Sequence, residues 1–184
     1  MYNQMKFTSK NIISSAAVVL FFVSACSHKK KNSISDYGKV VSSVLINNEG
    51  AFRGFNLGDN LDSILAKELQ EPMEIDDGFL YYEYKVDTIT SFNITYNFED
   101  KNLYEIQSDI FILENDSKEN ILLEFKTYFD NFFGSGERQK GFIVWTVQSE
   151  KYGKVRINLS DESSDYTVDN APSKITLWIY PDKN

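Results

Sequence analysis

One cysteine, one histidine and three prolines in 184 residues set the first limits on this chain. With Cys26 alone, no internal disulfide is available, so whatever folds here is held by a core rather than by cross-links. The only histidine, His28, lies two residues beyond that cysteine in a polar stretch. A histidine-based triad in the folded part is therefore excluded, and so is an ordinary zinc site. Positive charge is scarce as well, with 19 Lys and Arg against 27 Asp and Glu. Nucleic acid is excluded as an expected partner, because phosphate binding needs clustered Lys and Arg. Aromatic side chains, by contrast, make up 15% of the chain, and with so few prolines this reads as a folded, sheet-rich body.

The first residues have a distinct order. Lys6 and Lys10 stand among no acids, Ile12 to Val23 is apolar, and Ser24, Ala25 and Cys26 follow. Basic, then apolar, then small is the pattern of a secretory signal peptide. The apolar run is about a dozen residues where a bilayer crossing needs roughly 20, so a cleaved signal over residues 1–25 is expected rather than a transmembrane anchor.

Val23, Ser24, Ala25 and Cys26 resemble the lipobox of bacterial lipoproteins, in which the cysteine becomes the new N-terminus and carries acyl chains. That resemblance implies lipidation of Cys26, palmitate among its acyl groups, and a lipid bilayer as the first partner. Two or more chains give stable anchoring, at about 0.8 kcal/mol per buried methylene. A buried free thiol is the alternative. Ser27, rather than Asp, resembles the pattern sent to the outer membrane of Gram-negative cells. Lys29, Lys30 and Lys31 do not resemble the acidic surface-export signal of some Bacteroidota lipoproteins. The expected location is the cell envelope, lipid-anchored at the outer membrane and facing the periplasm, with the cell surface left open.

Removing Lys6 and Lys10 with the signal leaves 17 basic residues against 27 acids, a net charge near −10. About 160 residues remain, enough for one domain or two small ones sharing a core. Residues 26–50 read as the lipidated cysteine and a tether, polar and basic to about Ser35, with the apolar Val40 to Ile46 too short to type. Asp59 is placed to cap a helix through Leu61, Ile64, Leu65 and Leu69, which Pro72 stops. Phe79 to Lys85 and the strictly alternating Ser91 to Phe98 predict strands. Tyr104, Ile106, Ser108, Ile110 and Ile112 predict a third. Asp116 and Glu119 then sit at N-cap and N3 spacing before Ile121, Leu122, Phe125, Tyr128, Phe129 and Phe132, with Gly134 as the stop. Strands follow at Phe142 to Val147, Lys154 to Ser160 and Ile175 to Tyr180. Asp77 to Tyr82 aligns with Lys140 to Trp145 at a constant offset. The reading is an α+β fold of tandem units over 51–115 and 116–184, each one helix plus a three-stranded antiparallel meander, with helices on one face of the sheet.

Gly58, Asp59, Leu61, Ile64, Leu65, Glu71 and Pro72, then Tyr81, Tyr82 and Tyr84, resemble the helix and first strand of small outer-membrane lipoproteins of the BamE/SmpA kind. A doubled unit resembles the beta-lactamase-inhibitor-protein fold. The second unit departs from the pattern, having Gly134, Ser135 and Gly136 where the proline would stand. The resemblance implies a fold more than an activity.

Groups for chemistry are few. Asp76 with Asp77, and Asp161, Glu162 and Asp165, are the acidic clusters, and both read as solvated loops. For the second, a weak calcium site is the alternative, since one loop offers several oxygens, though without the glycine and spacing of an EF-hand. Asp87, Thr88 and Ile89 resemble the short O-glycosylation acceptor of Bacteroidota. No catalytic residue, metal or cofactor is expected.

Binding is the stronger lead. The parity of Glu83 puts Tyr81 on the polar side of its strand, and that of Thr176 does the same for Trp178 and Tyr180. Large aromatics on an open sheet face suit a protein interface, because they bury much area at little entropic cost; covering a second core layer or the tether is the alternative. The expected function is a non-catalytic, membrane-anchored envelope lipoprotein that binds a protein partner in envelope assembly or maintenance. An inhibitor or immunity protein against a secreted hydrolase or toxin is the competing reading.

Overall fold

The computed structural model describes residues 33–113, 117–163 and 172–182. The signal peptide, Cys26, His28, Asp116 and Asp165 lie outside the described residues.

The strands are β1 (Glu74–Asp76), β2 (Phe79–Lys85), β3 (Thr90–Glu99), β4 (Asn102–Ile112), β5 (Glu137–Gln139), β6 (Phe142–Ser149), β7 (Gly153–Asp161) and β8 (Ser173–Pro181). They form one antiparallel eight-stranded sheet in the order β1-β2-β3-β4-β8-β7-β6-β5. The helices are α1 (Lys39–Leu45), α2 (Leu61–Lys67) and α3 (Lys118–Phe133), with a single 3-10 turn at Ile34–Asp36.

This corrects the α+β tandem of helix plus three-stranded meander. The molecule is dominated by one continuous sheet, and β4 pairs with β8 at its centre from Ile106↔Ile179 to Ile112↔Ser173. Two further strands arise where the turns at Asp77–Gly78 and Lys140–Gly141 fold the exposed triplets of β1 and β5 back onto β2 and β6. The helices are unequal, α2 being a short 7-residue piece and α3 a 16-residue one. A third helix, α1, is added from the stretch that resisted typing.

Alternation along the strands fixes which face is core. Tyr82, Ile94, Ser108, Leu177, Leu159 and Ile143 are successive cross-strand partners, and all are buried. Over them pack Val41, Val44 and Leu45 of α1, Ile64 of α2, and Ile121, Phe125 and Phe129 of α3, in one apolar cluster. A bulge interrupts the pattern once: Asn97 pairs with Glu105 and Phe98 with Leu103, so Tyr104 falls within the bulge and is only half-buried.

Helix α2 also departs from expectation. Its cap is Asn60, whose side chain accepts from the Asp62 N–H at 2.9 Å, while Asp59 accepts from the Asn56 N–H instead. It stops at Lys67 because Glu68 turns to an extended backbone and drives its carboxylate inward. Leu69 is left 70% exposed.

Candidate functional site

The face turned away from the helices is read from the same register. Tyr81, Thr95, Gln107, Trp178, Asn158 and Val144 are successive cross-strand partners, all of opposite parity to the core row. The three sequence-predicted aromatics therefore share one face. Trp178 and Tyr180 come together, their ring centroids 4.6 Å apart at 41°. Tyr81 does not join them. It stands on β2, three strand spacings from β8, or about 14 Å, where its hydroxyl donates to Glu83 at 2.9 Å and accepts from Asn93 at 3.3 Å.

Around Trp178 the hydrogen bonding is incomplete. Asn158 is 6% exposed and donates its amide N–H to the Tyr180 hydroxyl at 2.9 Å. Its Oδ1 and the Trp178 Nε1 are both buried and have no partner among the described residues. Beside them, Lys174 Nζ lies 3.0 Å from Glu162 Oε2 and 3.3 Å from Asp109 Oδ1, and the Thr176 hydroxyl lies within 2.9 Å of both carboxylates. Burial opposes the charge on Glu162, but the bonds from Lys174, Thr176 and Ser160 and the charge of Lys174 together offset it and hold that carboxyl below its usual range.

That arrangement engages Glu162, and Asp161 is engaged next to it; these are the two described acids of the candidate calcium loop. Glu162 is bound to Lys174, and Asp161 pairs with Lys118 at 2.9 Å and accepts from Ser163. Among the described residues, no group of three or more His, Cys, Asp or Glu is placed to hold a metal ion. Asp76 and Asp77 are both exposed, with Asp76 accepting from the Asp77 N–H. Thr88 is exposed in the β2–β3 turn, where Asp87 accepts from the N–H groups of Ile89 and Thr90.

A buried ion pair, Arg53 with Glu68, lies among residues that were not candidates for a site in the sequence. Arg53 Nε and Nη2 donate to the two oxygens of Glu68, each at 2.9 Å, and its Nη1 donates to the carbonyls of Ser43 and Val44. Tyr84 donates to the same carboxylate at 2.8 Å, and Tyr96 donates to it as well. Burial works against the Glu68 charge, yet Arg53 and the two hydroxyls hold its carboxyl below the ordinary value. The Tyr96 and Tyr84 hydroxyls are raised by burial and by the adjacent carboxylate. Both members of the ion pair have 0% side-chain exposure, so no substrate reaches them. The cluster ties α1, the 46–60 loop and the end of α2 to the sheet.

A cleft of about 590 Å³ lies between the 50–59 loop, the end of α3 and the β6–β7 hairpin, lined by Asn56, Gly58, Asp59, Phe133, Glu150 and Lys151 among others. Its lining hydroxyl, Ser149, accepts from the Tyr152 N–H at 3.4 Å.

Compared with known protein families, curated proteins and solved structures, the chain matches none. Among the described residues no helix is long and apolar enough to cross a membrane.

Proposed function

We propose that this chain is a non-catalytic lipoprotein of the cell envelope, anchored through Cys26 and binding a protein partner through the sheet face that carries Trp178 and Tyr180. The observation that supports it most is that pair: two large aromatics in ring contact on the side away from the helices, beside a buried donor and acceptor with no partner among the described residues. Interfaces concentrate their energy in such aromatic anchors. The lipobox resemblance supports a membrane location, with the periplasmic face of an outer membrane preferred, and assembly or maintenance of the envelope is the role that fits a binding module there.

A second reading, an inhibitor or immunity protein against a secreted hydrolase or toxin, draws on the charge of the same face. Glu74, Asp76, Glu83 and Glu137 lie exposed on it with Lys85 and Lys154, an acidic balance that complements a basic partner.

Affinity capture of the lipidated protein from its own envelope, run beside Trp178→Ala, tests the binding face. Recovery of envelope machinery by the wild type alone supports the first reading, and recovery of a single hydrolase or toxin supports the second. Identical captures by both proteins would sink the aromatic face. Cys26→Ser is expected to leave the precursor uncut and unlabelled by radioactive palmitate, and normal processing of that variant would dispose of the anchor.

A further inference from the structure

The place where the chain joins its folded body sets which side of that body a membrane sees. Ser33 and the 3-10 turn after it lead straight into α1, and both belong to the helical layer. Tyr37 packs edge-on against Tyr128 of α3 at 5.3 Å and its hydroxyl accepts from Asn131 at 2.9 Å. The Gly38 N–H donates to Glu124 of α3, also at 2.9 Å. The chain is thus pinned to the flank of α3, on the side of the sheet opposite Trp178 and Tyr180.

Only residues 27–32, six in all, separate Cys26 from Ser33. Seven Cα steps at about 3.6 Å reach at most about 25 Å. A compact body of roughly 150 residues has a radius of gyration near 15 Å, hence a diameter of about 38 Å and a half-circumference of about 60 Å. A leash of that length cannot pass around the body. It is shortened further if Lys29, Lys30 and Lys31 sit at anionic headgroups, where each basic residue is worth about 1 kcal/mol.

Resting on Cys26 being the anchored residue, we infer that the leash holds the outer side of α3 against the bilayer and points the Trp178–Tyr180 face away from it. The surfaces agree with that assignment. The outer side of α3 offers Leu123, 60% exposed, between Asn120 and Thr127, with one exposed acid, Glu119, a turn before it. The opposite sheet face presents Glu74, Asp76, Glu83 and Glu137 against the exposed Lys85 and Lys154, a negative balance that an anionic lipid surface repels. The partner is therefore one that approaches from the aqueous side, a soluble protein or one projecting from elsewhere, and not a neighbour buried in the same leaflet.

The test uses the full lipidated protein, purified from its host membranes in detergent and reconstituted into phosphatidylethanolamine and phosphatidylglycerol vesicles containing an acceptor-labelled lipid. A donor dye goes on Asn120→Cys, at the outer side of α3, or on Thr146→Cys, exposed on the far face of β6. Energy transfer to the lipid is expected to be several-fold stronger from position 120 than from position 146. Inserting about twenty Gly and Ser residues after Asn32, a flexible stretch long enough to let the body turn over, is expected to abolish the difference. Equal or reversed transfer in protein that floats with the vesicles overturns the orientation while leaving the anchor standing. A difference that survives the insertion overturns the leash as its cause. Protein that fails to float overturns the anchoring and the orientation together.

Discussion

Arg53 and Glu68 meet inside the core through two parallel hydrogen bonds of 2.9 Å, with neither side chain exposed to water. Arg53 holds a left-handed backbone, φ 53°, to make this contact. Removing one partner of a buried pair costs about 3–5 kcal/mol, because the other is left charged and desolvated. Arg53→Met is expected to lower unfolding stability by that amount in urea titration. Arg53→Met with Glu68→Leu is expected to recover most of it, and an additive loss in the double variant would show that the pair is not coupled.

The same cluster sets how stability depends on pH. Glu68 has its carboxyl held below the ordinary value, so its contribution is complete above the unfolded-state value of 4.5 and is lost as pH falls through the lower folded value. Tyr82, pushed up by burial to about 12 from 10.0, behaves in the opposite sense. Its contribution is complete below pH 10 and is lost as pH rises towards the folded value. Melting temperature plotted against pH is expected to show a broad plateau with both an acid and an alkaline fall. In Glu68→Gln the acid limb is expected to flatten, and an unchanged limb would place the acid sensitivity elsewhere.

Trp178 keeps its indole N–H buried with no acceptor among the described residues. An unmet buried donor costs about 1–3 kcal/mol, so replacing it with an apolar ring removes that penalty while giving up some contact area. Trp178→Phe is expected to raise stability by roughly 1 kcal/mol and to weaken capture of the partner. A less stable variant with full capture would contradict both halves of that expectation.

Gly136 lies beneath the Trp145 ring, where an added Cβ would come within 2.5 Å of the indole. Its N–H and the Trp145 N–H both donate to Asp130 Oδ1, at 2.9 Å and 3.0 Å. Overpacking of this kind costs about 1–3 kcal/mol. Gly136→Ala is expected to lose that much stability and to shift Trp145 emission, read in a Trp178→Phe background. Unaltered emission would mean that the loop yields instead of the ring.

Strands β2, β3, β4, β6, β7 and β8 were readable because their side chains alternate and their ends carry turn residues. The shared parity of Tyr81, Trp178 and Tyr180 followed from the same rule. What sequence could not show were outcomes decided by distant partners. Glu74–Asp76 and Glu137–Gln139 are too short and too polar to register as strands, and only the turns after them bring them into the sheet. Glu68 reads as one more polar residue near a helix end until Arg53, Tyr84 and Tyr96 are folded around it. Tyr104 lost its place because a bulge is a property of two strands together. Asn158 is buried beside Trp178 and Tyr180, a consequence of packing on a face taken to be open. The meander count and the tandem α+β architecture failed for the same reason, since pairing of β4 with β8 is settled only when both halves are present.

Under the proposed anchoring through Cys26, the outermost strands bear on how many copies a membrane can hold. Lipoproteins confined to a surface meet side by side far more often than molecules free in solution, and a long bare sheet margin would then seed fibrils. Here the outermost strands are three residues long and carry charges, Glu74 and Asp76 on one side, Glu137 and Arg138 on the other, and they cover only Phe79 to Tyr81 of β2 and Phe142 to Val144 of β6. Short charged margins resist edge-to-edge pairing. Under the proposed anchoring, the charged outer triplets work against edge-to-edge pairing at the density of a membrane surface.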